Sequence, residues 1–380
     1  MADETTVAIE SVPTARTCGT MPVHERLLRS SPAYATARAA SETAAWDATR
    51  TARAGARVGV TVIPVVVHVV WNTSVQNISA AQIASQIATL NQDYRKTNAD
   101  VTSTPPVFTP LCADARIEFA LAKTDPQGAA TDGVTRTQTT RTSFSDDDSV
   151  KSTGTGGADA WPADRYLNLW VCPLAGSLLG YAQFPGGAAA TDGVVIRYSA
   201  FGNQGTATAP FELGRTATHE IGHWLNLRHI WGDDGNGCAG DDFVADTPNC
   251  AGSNPGTPSF PHVTCNNGPN GDLFMNYMDY TDDKAMFMFT AGQVARMQTC
   301  LDVDRATIGH EPAAGVMVPD VVGLTRSLAG KAVKQAGLVA RFTGTVNKAN
   351  TRVFGQNPAA GRQVAAGTKV SCTLRVGSPP

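Results

Sequence analysis

The stretch HEIGHWLNLRH, residues 219–229, decides the reading of this 380-residue chain. On a helix, His219 and His223 project from one face, so both imidazoles can offer a nitrogen to a single Zn²⁺. Glu220 then faces the remaining coordination position, where a carboxylate can act as general base for a zinc-bound water attacking a polarised carbonyl. His229 lies too far along a straight helix to share the ion, so the chain must turn back between Leu225 and Arg228. Asn226 suits such a turn, because its short amide tolerates positive φ and can end a helix. A surface helix would account for a bare HExxH but not for the third histidine. Three protein ligands and one open position predict a hydrolytic zinc site.

The remaining composition narrows the setting. A net charge of −3 with 42% hydrophobic residues gives a nucleic-acid partner no support and leaves room for two or three domains. The longest apolar run, Val58 to Trp71, is interrupted by Thr61, Pro64 and His68. It is too short to span a bilayer and reads as a buried strand, so no transmembrane segment is expected. Met1 to Glu10 lacks the basic start and apolar core of a secretory signal, so any export signal is expected to be trimmed or absent. The cysteines are Cys18, Cys112, Cys172, Cys238, Cys250, Cys265, Cys300 and Cys372, and none forms a C-x-x-C pair. Their scatter favours disulfides, above all in the core-poor region around Cys238, Cys250 and Cys265, and hence an oxidising, extracellular setting.

Along the chain, residues 1–57 hold few large apolar side chains and make a poor independent domain. Their distinctive element is Arg16-Thr17-Cys18-Gly19, whose thiolate could occupy the open zinc position as a latency switch; a disulfide or a free thiol is the alternative. Ser79 to Gln82 reads as a capping box, followed by an apolar helical face of Ile83, Ile87, Leu90 and Tyr94. Ala115 to Ala122, Tyr166 to Cys172 and Gly193 to Tyr198 read as strands. The metal helix starts near Thr216, and a loop-rich region follows to Asp283. A further helix is capped by Thr290 and Gln293. The class is therefore α+β, with the site in a cleft beneath an edge strand. Gly154 to Gly157 lacks the context of a phosphate loop, and His68, inside a strand, reads as structural.

HExxHxxGxxH is the metzincin pattern, with Asn226 here at the glycine position, and Asn276-Tyr-Met278-Asp-Tyr280 resembles the metzincin Met-turn. Ile63 to Val70, Leu179 to Pro185, residues 219–233 and Asp246-Thr247-Pro248 extend the likeness. Residues from about 60 to 305 resemble the pappalysin, or cytophagalysin, family in its ulilysin- and mirolysin-like branch. The resemblance implies a metzincin-type zincin fold: a mixed twisted sheet, an active-site helix and a loop-rich lower subdomain. It also implies a secreted zinc endopeptidase with His219, His223 and His229 as ligands, Glu220 as base, Met278 beneath the metal and Tyr280 stabilising the oxyanion. Cys18 would bind the zinc in a zymogen, and arginine-side cleavage would place the mature N-terminus between Thr49 and Val60.

The same resemblance implies structural Ca²⁺ in the loop after the metal helix. Candidate oxygen ligands there are Asp233, Asp234, Asp241, Asp242, Asp246 and Thr247. It pairs Cys238 with Cys265, leaving Cys250 to pair elsewhere, with Cys300 one option, or to stay free. Asp282 and Asp283 fall where a pocket wall could select basic residues beside the scissile bond. Val318 to Leu324, Gln335 to Leu338, Gln356 to Pro358 and Gly361 to Val370 resemble a PASTA domain, which implies peptidoglycan affinity or a spacer role. The expected organisation is a prosegment (1–57), a catalytic domain (58–308), a linker (309–316) and the PASTA domain (317–380), in a monomer acting on proteins or peptides. Wall-peptide hydrolysis, or wall binding with a merely structural protease domain, are the competing functions; an intact Glu220 counts against the last.

Overall fold

The computed structural model describes residues 13–51, 57, 59–235, 237–309, 316–344, 350–364 and 367–377. The chain divides into two compact units, residues 1–309 and 310–380.

The first unit is built around β1 (Thr61–Trp71), the longest strand and the centre of a mixed sheet. Its neighbours are β2 (Ile117–Leu121), β3 (Val134–Gln138) and β4 (Leu167–Cys172), all parallel to it. Beyond β4 lies the parallel β6 (Val194–Arg197), and β5 (Gly180–Ala182) runs antiparallel along β6 as the edge. Alternation along β1 divides its side chains between two cores. Ile63, Val65, Val67 and Val69 face the main core, while Val70 packs with Trp170, Tyr181 and Val195 on the other side. Burial on both faces explains why apolar residues dominate the strand without alternating. His68 sits within it as a structural residue, bonded to Thr135 and Asn168 and stacked on Trp170.

The helix α3 (Ala80–Tyr94) covers the main face with Ile83, Leu90 and Tyr94. Ser79 caps it by accepting from Gln82 N, but the expected reciprocal bond is replaced. The Gln82 amide instead donates to Tyr198 O and Phe201 O, tying the segment after β6 to the helix. Tyr94 Oη donates to Thr218 O, docking α3 on the active-site helix α4 (Arg215–Trp224). After the loop-rich stretch comes α5 (Ala291–Val303), whose start carries the predicted Thr290/Gln293 capping box.

Residues 20–51 are more ordered than their composition suggested. They form α1 (Thr20–Ser30) and α2 (Pro32–Thr51), and both pack on this unit. Val23 joins the second core beside Tyr181, so this segment is part of the folded body despite its few large apolar residues. Of the two alternatives for Cys250 the free thiol is the one found: Cys250 and Cys300 are both free and buried, and Cys300 Sγ points at Trp224 O. Cys238 and Cys265 do form a disulfide.

In the second unit α6 (Arg326–Gln335) packs on the sheet β8–β11–β9, where β8 is Val339–Gly344, β9 Thr351–Asn357 and β11 Lys369–Val376. A two-stranded pair joins β7 (Val316–Met317) to β10 (Gln363–Val364). Val321, Ala329, Val333, Val353 and Val370 form its separate core.

Candidate metal centre

α4 is the local cause of the site. It ends at Trp224, and Asn226 follows at φ 75°, the left-handed conformation its position required. That turn returns His229 to the helix. The Nε2 atoms of His219 and His223 lie 3.2 Å apart, and those of His223 and His229 3.1 Å apart. Every Nδ1 faces an oxygen that can only accept: Tyr277 O at 2.7 Å for His219, Leu227 O at 2.7 Å for His223 and an Asp233 oxygen at 2.6 Å for His229. Each imidazole therefore carries its proton on Nδ1 and turns the Nε2 lone pair inward. Burial first, then the neighbouring histidines, holds His219 and His223 well below the usual imidazole range. Three neutral lone pairs crowded on one point repel one another unless a cation sits among them, and imidazole donors suit Zn²⁺.

Cys18 Sγ joins this group, with all four ligand atoms within 4.8 Å of one another and all four residues buried. Among the described residues no other such group of His, Cys, Asp and Glu is present. Backbone pairing places the thiol. Leu179 N donates to Thr17 O and Gly19 N to Gly180 O, so Cys18 lies beside Gly180 in a parallel bridge to β5. Burial and then the Glu220 carboxylate push the Cys18 thiol well above its usual value, so a thiolate forms here only with a cation to meet it.

Glu220 accepts from Cys18 Sγ at 3.2 Å and from Thr20 Oγ1 at 2.8 Å. Burial raises its carboxyl to about 7, against the pull of those two bonds and of Arg16. Gly180 makes room for it, since a Cβ there would meet Glu220 Cγ at 2.9 Å. Met278 lies beneath the helix at Gly222, where a Cβ would meet its Sδ at 2.4 Å. Asn276 and Gln293 exchange two side-chain bonds that fasten this turn to α5. The half-buried Tyr280 has its ring 4.9 Å from that of His229 and 5.8 Å from that of His219.

Asp283 and Asp282 part company. Asp283 is wholly buried; one oxygen accepts from Leu213 N and Arg215 N, and the other pairs with Arg16 Nη2 at 2.6 Å. The Arg16 guanidinium also donates to Thr281 O and Thr216 Oγ1 and lies 5.0 Å from the Phe211 ring. Asp282 does not reach this pocket and accepts from Thr257 Oγ1.

The candidate calcium acids of the loop accept from protein groups. Asp246 accepts from Thr290 Oγ1 and Gly292 N at the start of α5, Asp241 from Phe243 N, and Asp234 from Ala239 N. Asp233 serves His229. Asp242 accepts from Val244 N and Thr247 Oγ1, and burial raises its carboxyl to about 7. Sequence reasoning missed Thr20, Asp233 and Glu42 as partners at or near the centre. Only Asp233, one helical turn after His229, carried a spacing that could have signalled it.

The family model described as "Pregnancy-associated plasma protein-A" matches residues 152–302. An extracellular metalloprotease of Pyricularia oryzae is 30% identical over 309 residues, covering 79% of this chain and 93% of that protein. The chain belongs to the pappalysin family. This pappalysin is a zinc metalloendopeptidase by that membership, and the converging imidazoles fit the ion. Its fold matches Tannerella forsythia mature mirolysin in complex with a cleaved peptide at 54% identity and a TM-score of 0.65, over 66% of this chain and 96% of that one. A Tannerella forsythia promirolysin mutant matches at 49% identity and a TM-score of 0.70, over 77% and 95%. A PASTA-domain model matches residues 316–374.

Proposed function

We propose that this pappalysin is a secreted endopeptidase made as a zymogen, in which Cys18 closes the zinc site and Glu220 serves as general base once the prosegment has gone. The observation carrying the reading is the placement of Cys18 Sγ against His219, His223, His229 and Glu220 at once. His219, His223 and His229 would hold the zinc, which when bound supplies Lewis-acid polarisation of the scissile carbonyl and a more acidic water. With Cys18 and Thr20 withdrawn, the Glu220 carboxylate is free to take a proton from the attacking water and return it to the leaving amine. Tyr280, whose ring lies 4.9 Å from that of His229, would donate to the developing oxyanion. Glu220→Ala should lower casein hydrolysis by about a thousandfold or more, and Cys18→Ala should make the unprocessed chain active. Full activity of Glu220→Ala would defeat the mechanism.

A basic preference is supported at Asp283 alone. The pocket already holds the Arg16 guanidinium by a buried ion pair, two further acceptors and an aromatic face, as an arginine side chain of a substrate would require. Asp283→Ala should cost cleavage beside Arg and Lys more than cleavage beside neutral residues. Arg57 bonds to Leu301 O and Ile308 O, which supports a cut before it, after Arg50 or Arg53. Arg53 lies outside the described residues. N-terminal sequencing of the active form tests this, and an intact active chain would refute it.

Calcium in the 233–247 loop rests on the buried Asp242 carboxylate and its neighbour Asp241. A calcium-selective chelator should lower the melting temperature with zinc retained, and no shift would remove the ion from the account. The PASTA unit is proposed to hold the secreted enzyme near peptidoglycan. The names of the curated relatives support export, and the acid–base geometry favours peptide hydrolysis over a purely wall-binding role.

A further inference from the structure

Beyond the centre, at the C-terminal end of α4, the prosegment helix α2 inserts Glu42 into a site made largely by the catalytic body. Arg296 Nη2 donates to both Glu42 oxygens, at 2.7 and 2.6 Å, and Arg228 Nη2 approaches to 3.9 Å. Arg296 is oriented by a second bond, from its Nε to Asn226 O at 2.6 Å. Arg228 has a buried Nε with no hydrogen-bond partner. The ring of Phe243 backs both guanidinium groups, 4.8 Å from Arg228 and 5.9 Å from Arg296. A cavity of about 390 Å³ opens here, lined by these residues and by Trp46 of α2. Arg38, the other prosegment charge, also pairs with Glu42.

The charge balance changes on processing. Among the described residues, Glu42 is the carboxylate that pairs with both Arg228 and Arg296. Loss of the prosegment removes Glu42 and Arg38 together, leaving two guanidinium groups beside an aromatic ring without the carboxylate that bridged them. Such a pair suits a carboxylate, because Arg296 stays oriented by Asn226 O and Arg228 brings an Nε that lacks a partner.

We infer that Arg228, Arg296 and Phe243 form an anion-recognition site of the processed enzyme that takes an acidic side chain of the polypeptide substrate, with Glu42 its placeholder in the latent chain. This rests on removal of the prosegment, as proposed above. The site also has a defined place along a substrate. Asp283 binds the backbone at Leu213 and Arg215, before and at the start of α4, whereas Arg296 binds Asn226 just past its end. The ten residues of α4 span about 15 Å, a distance an extended peptide crosses in about five residues. The favoured acidic residue therefore lies about five residues from the basic one held at Asp283, across the scissile bond.

The test uses processed enzyme and quenched-fluorescent peptides with a fixed arginine for the Asp283 pocket. Either Gln or Glu is placed at successive positions about four to seven residues away on the other side of the scissile bond. Glu should raise kcat/KM roughly three- to tenfold at one of these positions, through KM, and the gain should fade at high salt. Arg228→Gln should abolish the preference, read as the ratio of kcat/KM for the Glu and Gln peptides within each variant, Arg228→Lys should keep part of it, and Arg228→Glu should transfer it to Lys. Equal cleavage of Glu and Gln peptides at every position would overturn the inference and leave the protease reading intact. So would a Glu preference that survives Arg228→Gln. No cleavage of any peptide would overturn the protease reading as well.

Discussion

Gly180 shows how narrowly single residues set the catalytic group. A Cβ there would meet Glu220 Cγ at 2.9 Å and Val195 O at 2.8 Å, so the edge strand and the base carboxylate cannot both stay in place. Gly180→Ala should leave zinc bound by the three histidines yet lower kcat/KM of the processed enzyme by about a hundredfold, since an ångström of misplacement costs that much. Wild-type kinetics for this variant would contradict the close approach. At this scale the convergence of His219, Glu220, His223 and His229 was legible, because a helix and one turn carry all four within eleven residues. Thr20, whose hydroxyl binds Glu220 across 200 residues of sequence, was not, since no local spacing records a partner so remote. Asp282 was read together with Asp283, because adjacency in sequence says nothing about which carboxylate turns inward.

Among the elements, α1 and α2 carry the least sequence signal and, under the proposed zymogen, the most regulatory consequence. Ala, Thr and Arg give α2 little apolar face, and its docking rests on polar contacts such as Ser41 to Asp304 and Glu42 to Arg296. His24 on α1 is packed against Tyr34 and Phe184. Burial first, then the charges of Arg38 and Arg228, depress it to about 4, with Glu42 and Asp233 opposing. Because the folded value lies below the ordinary 6.5, the docked helix resists protonation that the released one accepts. The His24 contribution to docking is thus complete above about 6.5 and is lost as pH falls toward 4. Proteolytic nicking of residues 20–51 should therefore accelerate over that window, and His24→Phe should flatten the dependence. A nicking rate independent of pH in the wild type would refute this. The edge strand β5 was legible only as a family likeness, because three residues are too few for periodicity to register.

For the whole molecule, the two units have separate cores, and the PASTA unit's own sheet and helix bury Val321, Val333 and Val370 without help from the zinc domain. Truncation after Gly309 should leave casein hydrolysis by the processed enzyme unchanged while reducing its sedimentation with peptidoglycan; equal sedimentation would make the unit a spacer. The PASTA segment was readable because it carries its own motif set, whereas the Glu42 site was not, since it exists only where α2 and α5 meet. Zinc X-ray absorption on the unprocessed, zinc-loaded chain tests the central claim most directly. The account predicts one sulfur and three imidazole nitrogens around the ion, with the sulfur lost, and peptide hydrolysis gained, on processing. A zinc shell without sulfur in the unprocessed chain, or full hydrolytic activity before processing, would contradict it.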